Sequence, residues 1–419
     1  MLFLHHFNIN ILPQSPFMGK NMMNKIQFRQ ATVVLLITIC LSWICYGCQT
    51  TRSHSSPTQA LLDRVLSGES LLGDRAARLS LPEDNIFEIT PDMQDFLKMH
   101  VPSTGSNYVK LRRLIESVMD KSLLGWNFDA LKTYSAADTF RQKQGNCISY
   151  AIMMVVLGRE LGLDLRFNEV YIPPTWDIQT EHTVLLFRHV NIITKVDRTR
   201  MILDLDLEEY DSSYPQYTIT DVAAEAHYYN NRGVDYLNSN NMEQSFLYFR
   251  KALALQPRQA FLWVNIGVLY LRYDHYQEAE AAFLHALKLD SSDITVISNL
   301  QRLYVKQSNT ELANYYRQEA ERSRMKNPYY RYYQAQQLLD DNQPDLALKH
   351  IKWAIRKYGK EHRFHFLAAK IYARLGKSDD AEKSLERAAK LTEDGENRLL
   401  YQSKIERLRE ISKQDSANP

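Results

Sequence analysis

Three residue types, in one order along this chain, could carry thiol-based acyl chemistry. Cys147 stands in the run Gly145-Asn146-Cys147-Ile148-Ser149-Tyr150. Asn146 is a good N-cap and Gly162 a good stop, so the pattern predicts a helix over 146–161 with Cys147 in its first turn. A thiol there lies beside unpaired backbone N–H groups and the positive end of the helix dipole, and both favour the thiolate. Such a thiolate is a nucleophile when a histidine lies within hydrogen-bond reach. The base belongs on a facing strand, oriented by an acid on the next one. His189 opens a strand-like run and Asp204 lies in the following run. If Val196 and Asp197 form the hairpin tip, His189 and Asp204 fall directly opposite and share a face. A slip of two leaves them diagonal and still close, and a slip of one separates them. His182 and Asp206 are the rival base and acid. Taken singly, a cysteine on an apolar helix is more often a small core residue than a nucleophile. The order and spacing of the three residues together carry the chemical reading.

The elements that must hold these residues can be read from the pattern. Ile148, Ala151, Ile152, Val155 and Val156 cover much of the circumference of the 146–161 helix, which predicts a central, buried position. Tyr108 to Leu124 has helical periodicity, with Leu111, Leu114, Ile115 and Val118 on one side. Strand-like runs follow at Leu163–Tyr171, Thr183–Phe187, His189–Thr194 and Met201–Leu205. Pro173-Pro174 interrupts the first pair, and Lys195 to Arg200 reads as a turn.

The stretch Tyr134 to Cys147, then Arg188-His189-Val190-Asn191, then Ile202-Leu203-Asp204, resembles bacterial transglutaminase-like proteins that carry C-terminal TPR units. The resemblance covers roughly residues 105–395. It implies a papain-type triad with Cys147 as nucleophile, His189 as general base and acid, and Asp204 as the group that orients the imidazole. Where that superfamily often has an aromatic residue after its histidine, this chain has Val190-Asn191. Gln144 and the backbone N–H of Cys147 are the candidate oxyanion donors.

From Ala226 onward the sequence repeats every 34 residues, the spacing of TPR units. Gly233 and Gly267 match, as do Phe249 and Phe283. Tyr236, Tyr270, Tyr304 and Tyr372 share a phase, with Leu338 in the fourth place. Ala252, Ala286, Ala320, Ala354 and Ala388 occupy one phase throughout. Small residues let paired helices approach, aromatics fill the holes, and stacked units bury what one unit cannot. Asn231, Asn265 and Asn299 recur at the same period on the first helix of successive units, where amides could bond an extended peptide. Asparagine is also common at that phase for packing alone. The run Tyr329, Tyr330, Tyr332, Tyr333 reads as packing between units or a sticky patch.

Composition sets the outer bounds. Apolar content is 45% and charged content 24%, and 51 basic residues balance 49 acidic ones. No basic stripe or RNA-binding signature accompanies that balance, so nucleic acid is not an expected partner. Paired-Cys spacing and a metalloprotease helix motif are missing, so no metal or other cofactor is expected. Lys20, Lys25 and Arg29 precede an apolar run from Ala31 to Gly47, the order of an export signal. Gly47-Cys48 resembles a bacterial lipoprotein cleavage site, with Cys48 lipidated. Cys45 stands where that motif prefers Leu, and a single uncleaved anchor helix is the alternative. Met22 or Met23 as the start would give a signal of ordinary length. Gln49 after Cys48 fits outer-membrane sorting, so the expected location is the bacterial envelope, facing the periplasm.

The fold class expected is an α+β transglutaminase-like domain followed by an all-α TPR solenoid. The expected divisions are an export segment over 1–48, a tether over 49–83, the mixed domain over 84–225, and five TPR units over 226–395. The units divide as 226–259, 260–293, 294–327, 328–361 and 362–395, with a cap and tail over 396–419. The function expected is a thiol hydrolase or acyltransferase acting on amide bonds of a protein or peptide. The alternative is a non-catalytic, membrane-anchored scaffold whose repeats recruit partners.

Overall fold

A computed structural model describes residues 58–171, 189–196, 199–204, 214–392 and 395–417. Cys48 and the export segment, the rivals His182 and Asp206, and the expected strand over 183–187 lie outside the described residues. Among the described residues no helix is long and apolar enough to cross a membrane.

The mixed part begins with helices α1 (Gln59–Ser67) and α2 (Glu69–Leu72), followed by a 3₁₀ turn at Gly73–Arg78. These helices occupy 59–78, within the stretch expected to be a tether over 49–83. Leu62, Val65, Leu71 and Leu72 recur at helical spacing and are buried. Tyr270 donates to the Val65 carbonyl at 2.7 Å, and Arg64 pairs with Glu278 at 2.5 Å, so the segment is docked onto the repeats. Helices α3 (Pro91–His100), α4 (Asn107–Met119) and α5 (Ala136–Gln142) follow. Helix α4 stops before the expected Leu124, capped at Asp120. Helix α6 (Cys147–Glu160) lies where the cap residues predict it. Asn146 Oδ1 accepts from Ser149 N, and every residue from Ile148 to Gly158 is buried.

Two short strands, β1 (Asn127–Phe128) and β2 (Gln144–Gly145), pair in parallel just before α6. The main sheet comprises β3 (Arg166–Val170), β4 (His189–Val196), β5 (Thr199–Leu203) and β6 (Gln216–Thr218), in the antiparallel order β5-β4-β3-β6. The turn expected over Lys195–Arg200 is shorter than its composition suggested. Lys195 pairs with Arg200 and Val196 with Thr199, so both strands extend into it.

Five helix pairs complete the chain: α7 (Asp221–Asn238) with α8 (Met242–Leu255), α9 (Ala260–Arg272) with α10 (Tyr276–Leu289), α11 (Ile294–Lys306) with α12 (Thr310–Lys326), α13 (Pro328–Asp340) with α14 (Pro344–Lys357), and α15 (His362–Arg374) with α16 (Ser378–Leu391). A last helix, α17 (Gly395–Ala417), closes the stack. A Cβ on Gly233 or Gly267 would lie 2.6 Å from the ring of Phe249 or Phe283, which explains why glycine and phenylalanine recur together. The residues ending the turn inside each pair, Asn240, Asp274, Ser308, Asn342 and Gly376, all adopt a left-handed backbone. They recur at the same 34-residue spacing, a further periodic signal in the sequence. Tyr329 packs on Phe364 and Tyr358, and Tyr332 stacks on Phe364, so these tyrosines join units four and five.

The mixed part and the repeats share their packing. One apolar core runs from Leu62 through α6 and the sheet to Ala320 in the third unit. Tyr214, just before β6, accepts from Arg363 Nη1 at 2.8 Å and meets the Tyr329 ring edge-on, reaching the fourth and fifth units.

Candidate active site

The register of β4 and β5 decides how His189 and Asp204 meet. Ile192 pairs with Leu203, so the next position, Asp204, stands across from Asn191, and His189 is one step diagonal. This is the slip of two. Side chains two apart on a strand share a face, so the imidazole and carboxylate remain within reach. His189 Nε2 lies 2.7 Å from Asp204 Oδ2. Cys147 lies near enough to the same imidazole to favour its protonated form. With Nε2 turned to Asp204, Nδ1 is the ring nitrogen left for the thiol. The structure therefore brings all three residues together: Cys147 at the start of α6 and partly buried, His189 at the start of β4, and Asp204 just past the end of β5.

Charge in this cluster is strongly biased. Burial opposes a charged imidazole, but the hydrogen bonds to Asp204 and Cys147, with the charges of both, outweigh it and push His189 up to about 10. Tyr150, one turn beyond Cys147, is buried against the Trp126 ring at 4.9 Å. Its burial, with the Asp204 charge, raises its phenol well above the usual range and keeps it neutral.

Asp204 is itself held by a chain of amides. Asn191 Nδ2 donates to Asp204 Oδ2 at 2.8 Å. A carboxylate only accepts, so Asn191 must turn its nitrogen toward Asp204 and its oxygen away. Asn168 Nδ2 on β3 donates to that oxygen at 2.8 Å, and also meets Gln216 Oε1 on β6 at 2.9 Å. Asn168 is fully buried and its amide nitrogen is committed to this chain, while its oxygen has no partner among the described residues. In the sequence, Asn191 stands out only as a departure from an aromatic pattern. A buried amide alternating with Val190 and Ile192 was the signal available, because such a side chain must find a partner.

The helix end that carries Cys147 is fixed from the preceding loop. Asn146 N donates to the Lys132 carbonyl at 2.9 Å, and its Nδ2 to Thr133 Oγ1 at 2.9 Å. Ser149 Oγ donates to Asn146 Oδ1 at 3.0 Å and accepts from Tyr134 N at 2.8 Å. A Cβ on Gly145 would fall 2.7 Å from Ser149 Cβ, so the chain enters the helix through a position with no room for a side chain. Gln144, the candidate oxyanion donor, is half-buried in β2, two residues before the N-cap Asn146.

The repeat asparagines occupy buried positions. Asn231, Asn265 and Asn299 are all less than a tenth exposed. Asn265 Nδ2 bonds Asn230 Oδ1 at 2.8 Å, and Asn230 Nδ2 bonds Asn231 Oδ1 at 3.2 Å, forming an amide ladder from the first unit to the second. Among the described residues, no three His, Cys, Asp or Glu side chains converge as a metal ligand set.

Comparison with known proteins places families on these parts. The Transglutaminase-like superfamily matches residues 102–197, which include Cys147 and His189 and end before Asp204. Tetratricopeptide repeat families match residues 226–259 and 262–293, and again 332–396. No curated protein matches. Among solved structures, YrrB, described as a TPR protein with an unusual peptide-binding site, is 22% identical, covering 42% of this chain and 92% of its own, with a TM-score of 0.22. Pseudomonas aeruginosa pilF is 18% identical over 47% of this chain and 90% of its own, with a TM-score of 0.26. MamA is 15% identical over 40% and 91%, with a TM-score of 0.23. None of these three likenesses reaches half of this chain. One family falls on the stretch with the thiol and the imidazole and the other on the stacked helix pairs, so this chain joins a transglutaminase-like domain to C-terminal tetratricopeptide repeats.

Proposed function

We propose that this chain is an envelope lipoprotein whose transglutaminase-like domain cleaves or transfers amide-bound acyl groups of a protein or peptide, with Cys147, His189 and Asp204 as its triad. One observation carries the reading: an imidazole bonded to a buried carboxylate at 2.7 Å and near enough to the only thiol of the described residues for that thiol to favour its protonated form.

In the proposed reaction, His189 takes the thiol proton and the resulting imidazolium stabilises the thiolate beside it. The sulfur attacks the substrate carbonyl carbon, and the oxygen takes up the negative charge, facing the Cys147 N–H and Gln144. As the C–N bond breaks, His189 gives its proton to the departing amine, leaving a thioester. Water or an amine then attacks that carbonyl while His189 accepts its proton. The proton passes to sulfur as the thiol leaves. Asp204 keeps the imidazole in one tautomer throughout, as the third member of such triads does.

The TPR repeats support the binding of a protein or peptide, and in this reading they select the substrate. Anchoring through Cys48, with an outer-membrane location facing the periplasm, rests on the signal-like sequence. Loss of labelled palmitate incorporation in Cys48→Ala would support lipidation, and unchanged incorporation would exclude it.

The test of the chemistry is the rate of Cys147 alkylation by iodoacetamide against pH. Labelling should persist at mildly acidic pH, where an ordinary thiol of pKa ~8.5 hardly reacts, and should fall in His189→Ala. Ordinary thiol behaviour in both proteins would overturn the reading. The domain would then be a scaffold element beside the repeats.

A further inference from the structure

Helix α7 opens the repeat array, yet its polar side chains bond the mixed part at three places. At its start, Asp221 takes both guanidinium nitrogens of Arg159, at 2.7 and 2.9 Å, which ties it to the last turn of α6. Midway, His227 Nε2 lies 3.1 Å from Glu169 Oε2 in a fully buried pair, and its ring stacks on Phe261 of the second unit. Glu169 is on β3, and its neighbour Val170 pairs with His189. Toward its end, Arg232 Nη1 reaches the Thr133 carbonyl at 3.3 Å. Asp235 lies partly buried beside Thr133: burial raises its carboxyl, and the side chain and backbone of Thr133 oppose that rise. That same hydroxyl accepts from Asn146 Nδ2, the cap residue next to Cys147.

A hydroxyl has one proton to give. Thr133 accepts from Asn146 with a lone pair, which leaves its proton for the Asp235 carboxylate beside it. The route from the repeat helix to the nucleophile is therefore Arg232, Thr133, Asn146, Cys147, with Asp235 beside Thr133. The route to the base is His227, Glu169, then the β3–β4 ladder to His189. Thr133, Asn146, Glu169 and His227 are all buried. Buried hydrogen-bonded groups hold their geometry because each lost bond leaves an unpaired polar atom out of water. Two groups that must meet within hydrogen-bond distance are thus braced from one rigid rod.

We propose that α7 is a positioning element of the candidate site, with Asp235 and Arg232 setting the place of Cys147 through Thr133 and Asn146, and His227 setting that of His189 through Glu169. The inference rests on the triad reading and adds that the first repeat unit belongs to the site. A partner that strains or stiffens the repeats would then alter the reactivity of Cys147. Misplacement of reacting groups by about 1 Å can lower rates by ~100-fold, so modest slackening of the brace is enough to be measured.

The experiment uses the full-length protein with Asp235→Ala, Asp235→Asn, Thr133→Val and His227→Ala, and Lys306→Ala in the third unit as a distant control. Two readouts are taken well below each melting point: hydrogen exchange at the amides of Cys147 to Ser149, and the pH profile of Cys147 alkylation. Asp235→Ala and Thr133→Val should speed that exchange and slow alkylation at mildly acidic pH ~10-fold or more. His227→Ala should slow alkylation without speeding exchange at α6. Asp235→Asn, which can still accept from Thr133, should recover most of the effect, and Lys306→Ala should change neither readout. If the variants only lower the melting point and leave exchange and profile at wild-type values, α7 is ordinary packing and the inference is overturned. Wild-type protein without acid-range reactivity would instead defeat the triad reading, and the exchange data would still decide whether α7 braces α6.

Discussion

Replacing Asp204 by asparagine keeps the shape of the side chain and removes its charge, which isolates what the carboxylate does for His189. The Asp204 side chain is 2% exposed, and one of its oxygens serves both His189 at 2.7 Å and Asn191 at 2.8 Å. Burial works against a protonated imidazole here. The Asp204 hydrogen bond is the first of the influences that overcome it, ahead of the bond to Cys147, and the balance lifts His189 from 6.5 to about 10. A hydrogen bond to a charged group contributes ~1.5–3 kcal/mol. Losing it should let the imidazole release its proton ~10–100-fold more readily, at ~1.4 kcal/mol per tenfold change. Proton transfer from the thiol to the imidazole becomes less favourable by the same factor. An amide can also turn its N–H₂ toward Nε2, which would place the ring hydrogen on the nitrogen facing sulfur, the wrong tautomer for a base. The assay is the second-order rate of iodoacetamide modification of Cys147, followed by peptide mass spectrometry at mildly acidic pH. Asp204→Asn should label at least ~10-fold more slowly than wild type while remaining folded. A rate within about two-fold of wild type would refute the argument that Asp204 sets the charge of His189.

Other consequences can be measured on the folded protein. Because His189 holds its proton more tightly when folded, its contribution to stability is fully present below 6.5 and is lost as pH rises through about 10. The stability gap between wild type and His189→Gln should narrow across that window, and a constant gap in urea unfolding would contradict the assignment. Tyr270→Phe removes the bond to the Val65 carbonyl and leaves a buried helix-end acceptor unpaired. It should destabilise by ~1–3 kcal/mol and expose α1 to proteolysis, with unchanged digestion as the contrary result. Gly233→Ala places a Cβ 2.6 Å from the Phe249 ring. Overpacking of that kind costs ~1–3 kcal/mol, seen as a lower denaturant midpoint, and a neutral substitution would mean that the ring can move aside.

What the sequence determined by itself was local or periodic. Asn146 and Gly162 bounded α6 because caps are short-range hydrogen-bond arrangements that a few residues complete. The 34-residue period described the solenoid because each unit repeats the same packing problem: Gly233 against Phe249, Gly267 against Phe283, and a left-handed residue after each first helix. The alternation around His189 told which residues share a face, and so limited the ways His189 could meet Asp204. Tertiary structure decided the rest. It chose the diagonal pairing over the directly opposite one, since both keep the same face buried and the apolar pattern does not distinguish them. Asn168 and Gln216 reached the Asp204 network from β3 and β6 through sheet order, which no local pattern encodes. Residues 59–78 became docked helices because the repeats offered them an apolar surface. Periodicity reports that a face is buried, whereas what covers that face depends on contacts far apart in the chain. Helix α7 is the clearest case, a repeat helix by its sequence and a brace of the candidate site by its neighbours.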